Sequence, residues 1–162
     1  MKLARIVLGA ILIALTLPAQ ADPLRQGENA FRKGDYQRAA RKFRPPAHHG
    51  DPKAQTYMGF LYQTGRGVPQ FRLGAATYYQ WAAERGNPVA QYHLGLLYDK
   101  GHGVPQNYVL AHKWVNLAAS RSRGNDREYY TRIRDAIESK MSHGQRETAQ
   151  WLAEQWEATH RH

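Results

Sequence analysis

A stretch of seven residues occurs twice in this chain. TGRGVPQ covers 64–70 and KGHGVPQ covers 100–106, so the pairs Gly65/Gly101, Gly67/Gly103, Val68/Val104, Pro69/Pro105 and Gln70/Gln106 all stand 36 residues apart. The period runs well beyond the loop. Ala54, Gln55, Gly59, Leu61 and Tyr62 return as Ala90, Gln91, Gly95, Leu97 and Tyr98, and Ala75, Ala82 and Ala83 return as Ala111, Ala118 and Ala119. A repeat of this length marks a supersecondary unit that cannot bury its own apolar face and must stack on its neighbours.

Each unit reads as two helices. Ala54, Tyr57, Met58 and Leu61 fall at i, i+3, i+4 and i+7, an apolar stripe that the next unit keeps as Ala90, His93, Leu94 and Leu97. Asp51-Pro52 and Asn87-Pro88 place a capping side chain ahead of a proline whose missing N–H costs nothing in a first helical turn. Gly86 is placed to close the preceding helix in a left-handed conformation. Between the helices, Gly65-x-Gly67 tolerates positive φ, and Val68-Pro69 leads stiffly into the second helix. Gly59, Gly95 and the alanine pairs are small enough for close helix approach.

The N-terminus carries a separate signal. MKLARIVLGAILIALTLPAQA has Lys2 and Arg5, an apolar run from Ile6 to Leu17, and an Ala19-Gln20-Ala21 ending, which predicts a secretory signal over residues 1–21 cleaved before Asp22. An uncleaved anchor is the alternative, but the run is short of the roughly 20 residues that span a bilayer. No other segment is apolar and long enough for a transmembrane helix. The expectation is therefore an exported periplasmic or secreted chain, folded as one domain over 22–162. With no cysteine, its stability comes from packing rather than disulfides. Losing Lys2 and Arg5 lowers the formal charge from +10 to +8, and residues 22–72 hold most of it, with ten Lys or Arg against four acids.

The segments LGLLYDKGHGVPQNYVLAHKWVNLAAS and MGFLYQTGRGVPQFRLGAATYYQWAAERGN resemble Sel1-type repeats, relatives of the tetratricopeptide repeat. The resemblance is full over 51–86 and 87–120. Residues 26–50 keep the register but have a short Lys33-Gly34-Asp35-Tyr36 turn in place of the Gly-x-Gly-Val-Pro loop, as in an ordinary tetratricopeptide unit. Residues 121–159 resemble the helical cap that ends such arrays. The implied fold is all-α, a right-handed α-solenoid of antiparallel helix pairs with a C-terminal capping segment. The implied function is that of an adaptor or scaffold binding another envelope or extracellular protein.

Catalytic readings find little support in the residues. A minority of the family resembles cysteine-rich β-lactam binders, but their paired cysteines are absent here. None of Ser120, Ser122, Ser139 and Ser142 begins the Ser-x-x-Lys of a serine β-lactamase. Glu138-Ser139 is similar to the catalytic pair of peptidoglycan-cleaving lytic transglycosylases, yet it lies in a charged helical stretch without that family's downstream pattern. His48 and His49 are adjacent and point apart on a helix, His93 sits on the apolar stripe as a packed, hydrogen-bonded core residue, and His160 and His162 fall on a fraying tail. No enzyme, metal site or cofactor is expected, and nucleic acid is a poor partner for an exported chain of this kind.

Two surfaces stand as candidates. Gln55, Gly59 and Tyr62, repeated as Gln91, Gly95 and Tyr98, form a second row about 110° round the first helix from the apolar stripe. In tetratricopeptide-like arrays such rows line the concave groove, where an exposed amide and an aromatic ring suit a peptide; the competing reading has Tyr62 and Tyr98 packing between repeats. The other surface is basic: Arg38, Arg41 and Lys42 share one helical face at i, i+3 and i+4. It meets an acidic protein patch, glycan or lipid head group, or serves only as a solvated face. Whether Tyr78, Trp81 and Trp114 are covered stays open at this level.

Overall fold

The computed structural model describes residues 22–160, so the segment read as a secretory signal and His162 lie outside the described residues. Over that span the chain is all-α: α1 (Pro23–Arg32), α2 (Tyr36–His48), α3 (Pro52–Thr64), α4 (Arg72–Glu84), α5 (Pro88–Lys100), α6 (Tyr108–Arg121), α7 (Gly124–Glu138) and α8 (His143–Thr159). Helices α1–α2, α3–α4 and α5–α6 are paired, and the second helix of each pair packs on the first helix of the next. Helix α7 continues the stack against α6. Helix α8 breaks the pattern by packing on α6 rather than pairing with α7.

Local sequence sets the ends of these helices. Asp51 and Asn87 accept from the backbone N–H of Ala54 at 2.7 Å and Ala90 at 3.0 Å, with Pro52 and Pro88 opening the first turn. Gly65 and Gly101 end α3 and α5 in the left-handed region, at φ 70° and 67°, and Gly86 has φ 79° after α4.

The second glycine of each loop serves another purpose. A β-carbon on Gly67 would stand 2.3 Å from the Tyr36 carbonyl, and one on Gly103 would stand 2.4 Å from the Arg72 carbonyl. Tyr36 and Arg72 open α2 and α4, the second helices of the preceding pairs. Each loop therefore rests on the unit before it, and the close approach excludes any side chain. Among the described residues the first pair has no preceding pair to rest on, and its turn at Lys33-Gly34 is short.

The core follows the apolar stripe. Ala54, Met58 and Leu61 are fully buried, and Ala90, Leu94 and Leu97 almost so. Between units the stripe stacks rings: Tyr57 lies on Phe43 at 4.4 Å and 4°, and one period later His93 lies on Tyr79 at 5.0 Å and 8°. Burial pushes the His93 pKa down to about 4. The ring is packed as expected, but its Nδ1 has no hydrogen-bond partner, so the expectation of a hydrogen-bonded histidine fails at that atom.

The second row is turned inward, contrary to the expected exposed amide. Gln55 and Gln91 are buried, and each donates through Nε2 to the end of the preceding pair, to Ala47 O at 3.0 Å and Ala83 O at 3.1 Å. Their Oε1 atoms have no partner. Gly59 and Gly95 lie against the helix of their own pair, where a β-carbon would meet the Tyr79 ring at 2.7 Å or Val115 Cγ2 at 2.5 Å. The cause is architectural. A first helix touches its own partner on one side and the previous second helix on another, so two adjacent arcs are buried.

Candidate functional site

Because the two repeats share one frame, the position of a residue in the first can be compared with its counterpart 36 residues on. Tyr78 and Trp81 on α4 correspond to Trp114 and Leu117 on α6. In the second repeat these positions are covered. Trp114 is 2 % exposed and Leu117 fully buried, in one cluster with Ala153 and Trp156 of α8. The Trp156 indole N–H donates to Glu84 Oε2 at 2.7 Å. Its ring lies beneath the Arg121 guanidinium at 4.6 Å and is stacked on His160 at 4.1 Å and 7°. His160 thus belongs to the packed end of the molecule rather than to a fraying tail.

In the first repeat nothing of the described chain covers the equivalent face. Trp81 is 45 % exposed, Phe71 52 % and Leu73 58 %. Tyr78 is half-buried, stacked on Tyr62 at 5.6 Å and edge-on to Trp81 at 5.3 Å. Two hollows share Trp81 as a wall. One, of about 460 Å³, is bounded by Ala47, His48, Gly50, Gln55, Trp81 and Arg85. The other, of about 340 Å³, lies over Leu73, Ala76, Thr77, Gln80, Leu94 and Tyr98. An apolar, aromatic surface of this kind suits protein contact better than it suits water.

The residues singled out from the sequence are distributed round this face rather than gathered on it. Tyr62 and Tyr98 are half-buried and pack against the core, Tyr62 beneath Tyr78 and Tyr98 beside Leu94 and Trp114. Gln55 forms part of the floor of the larger hollow, while Gln91 is sealed inside. Arg38 and Arg41 are exposed and Lys42 is half-buried on α2. Arg38 borders a hollow of its own of about 230 Å³ with Gln26, Asn29, Lys33 and Asp35. Phe71 and Leu73 went unnoticed in the sequence, although a phenylalanine beside the repeated Val-Pro-Gln, where the second unit has Asn107, departs visibly from the period.

A further hollow, about 570 Å³, lies where α8 meets α6 and α7, bounded by His112, Glu138, His143, Arg146, Glu147, Gln150, Trp151 and Glu154. His112 Nε2 stands 3.4 Å from Glu138 Oε2. Burial holds the His112 pKa below the usual histidine range, with Glu138 pulling the other way. Ser139 does not turn its hydroxyl to Glu138 but donates it to Ala136 O at 2.8 Å. Among the described residues no group of three or more His, Asp or Glu side chains is placed to hold a metal.

Stacked antiparallel helix pairs with a fixed period, joined by loops that touch the preceding pair, define an α-solenoid of short helical repeats. The chain carries two Sel1 repeats, matched by the Sel1 repeat family at residues 52–87 and 88–122. Among solved structures it is similar to c5321, a protective antigen present in uropathogenic Escherichia coli strains that displays an SLR fold. That match has 29 % identity and a TM-score of 0.77 over 84 % of this chain and 29 % of that one. It is also similar to a Sel1 repeat protein from Oxalobacter formigenes, with 35 % identity and a TM-score of 0.62 over 65 % of this chain and 42 % of that one. The chain spans less than half the length of either. No curated protein matches it.

Proposed function

We propose that this chain is an exported, non-enzymatic scaffold that binds another envelope or extracellular protein through its repeat surface. Sel1-repeat proteins in general act as scaffolds for protein interaction. The observation that carries the reading here is the uncovered aromatic face of the first repeat, with Phe71, Leu73 and Trp81 each about half exposed. The proposal of export rests on the Lys2/Arg5, apolar run and Ala-x-Ala sequence of residues 1–21.

The test is affinity capture from an envelope extract with the tagged protein, at low and high salt, beside the variant Arg38→Ala, Arg41→Ala, Lys42→Ala. One protein retained at high salt by both forms is the expected result. Retention of only glycan or lipid, lost with salt or in the variant, would replace the scaffold with a charged surface binder, because exposed attraction is screened over about 8 Å at physiological ionic strength. Fractionation of cells making the full chain checks export, with the tagged protein expected outside the cytoplasm and shortened by its first 21 residues.

A further inference from the structure

Helix α8 shows what kind of object fits the second-helix face of a Sel1 unit in this protein. It sets Ala149, Ala153 and Trp156 at i, i+4 and i+7 on one side, and all three are buried. The ring of Trp156 enters a recess made by the left-handed Gly86, the Arg121 side chain across it, and Glu84 as acceptor for the indole N–H. With a β-carbon built on Gly86, Arg121 would lie 3.5 Å from it and the rim of the Trp156 ring 3.7 Å.

The 36-residue shift reproduces this recess on the first repeat. Gly86 becomes Gly50, also left-handed at φ 87°. Arg121 becomes Arg85, whose Nη2 would stand 3.3 Å from a β-carbon on Gly50. Glu84 becomes His48, Trp114 becomes Tyr78 and Leu117 becomes Trp81. The frame is present, but among the described residues no indole fills it, and the hollow of about 460 Å³ stands in its place.

We infer that this hollow, with the exposed Leu73–Trp81 face beside it, is the docking site for an amphipathic helix of an acidic protein partner, carrying two small residues and a tryptophan at i, i+4 and i+7. The inference rests on the scaffold reading and names its surface. The small residues let the helix lie close to α4, as Ala149 and Ala153 let α8 lie close to α6. The tryptophan enters between Arg85 and Gly50, where its N–H meets His48 in place of Glu84. Acidity follows from the exchange of Glu84 for His48, from Arg85 in the wall of the hollow, and from the excess of basic residues over 22–72, Arg44 among them. Arg44 is near enough to Tyr78 to act on its hydroxyl, which burial otherwise drives toward the neutral form.

A fluorescent peptide of residues 143–159 is a suitable probe, because α8 itself carries Glu147, Glu154 and Glu157 against Arg146. Added to the purified protein, it is expected to bind once per chain with micromolar affinity. Binding should weaken at least about tenfold for the peptide with Trp156→Ala and for the protein with Leu73→Glu and Trp81→Glu. Both protein positions are about half exposed, and circular dichroism and the melting temperature check that the variant folds. Equal binding to the variant would overturn the inference, since the peptide would then only be replacing resident α8 on the second repeat. Self-association of the protein abolished by Trp81→Glu would also overturn it, by giving the face to a second copy. If the peptide fails to bind while envelope capture still retains one protein, the helix site falls and the scaffold stands. If capture retains nothing, the scaffold itself falls.

Discussion

The two Sel1 units of this chain share first-helix caps, loops, buried glutamines and core stripe, yet among the described residues one is covered and the other bare. On α6 the positions of Trp114 and Leu117 lie beneath α8, whereas on α4 the counterpart Trp81 faces outward beside Phe71 and Leu73 and the counterpart Tyr78 is half-buried. Identical backbone frames thus serve opposite ends. The second unit closes the core, and the first offers a surface. What separates them is not the period but the side chains at a few second-helix positions and the one helix that leaves the stacking order.

The largest way to break this comparison is to remove the cover. Trp156→Ala takes a buried ring and its bond to Glu84 from the second unit, and should lower the unfolding free energy by about 3 kcal/mol or more in urea titration. A loss below about 1 kcal/mol would mean that α8 contributes little to closure.

Next comes the ring stack between units, Tyr57 on Phe43 in one place and His93 on Tyr79 in the other. Only the second can titrate in the acidic range. With the His93 pKa at about 4 when folded against 6.5 for the free side chain, the unfolded chain binds the proton more readily. The stability is therefore whole above pH 6.5 and is lost as pH falls toward 4, by an amount on the order of 3 kcal/mol. His112, also lowered by burial, slopes the same way. His93→Tyr, which copies the first joint, should flatten that slope in melts taken between pH 7 and pH 4. An unchanged slope would remove His93 from the account.

A smaller and symmetric effect tests the shared frame. Gln55→Leu and Gln91→Leu each remove one side-chain bond to the preceding pair and should each cost about 1 kcal/mol. Clearly unequal losses would show that the two joints differ in more than their covering. The smallest effect belongs to the bare face: Trp81→Ala should change stability by less than about 1 kcal/mol while weakening capture of the partner. A large fall in melting temperature would make Trp81 a structural residue instead.

Much of this architecture was written plainly in the chain. The caps at Asp51 and Asn87, the left-handed Gly86 and the all-α stacking follow from spacing and backbone chemistry alone. The Gln55–Tyr62 row admits both an open groove and packing between repeats, because periodicity says which positions recur and not which neighbour they meet. Its two amides turned out to face the carbonyls of Ala47 and Ala83, a contact between units that no pattern within one unit reveals. The return of α8 onto α6 was hidden for a related reason. Ala149, Ala153 and Trp156 form a visible stripe, but a stripe does not name the surface it will meet. Only the break at Phe71, where the sister loop continues into Asn107, hinted at the bare face.

The loops that end in Gly67 and Gly103 give the array a grammar. Each rests on the opening turn of a helix already laid down, Tyr36 for the first loop and Arg72 for the second. A unit therefore needs a predecessor and makes no such demand on a successor. In a chain leaving the ribosome, each such loop emerges after the turn on which it rests. A copy of residues 51–86 spliced in behind the first unit would find its loop already provided for.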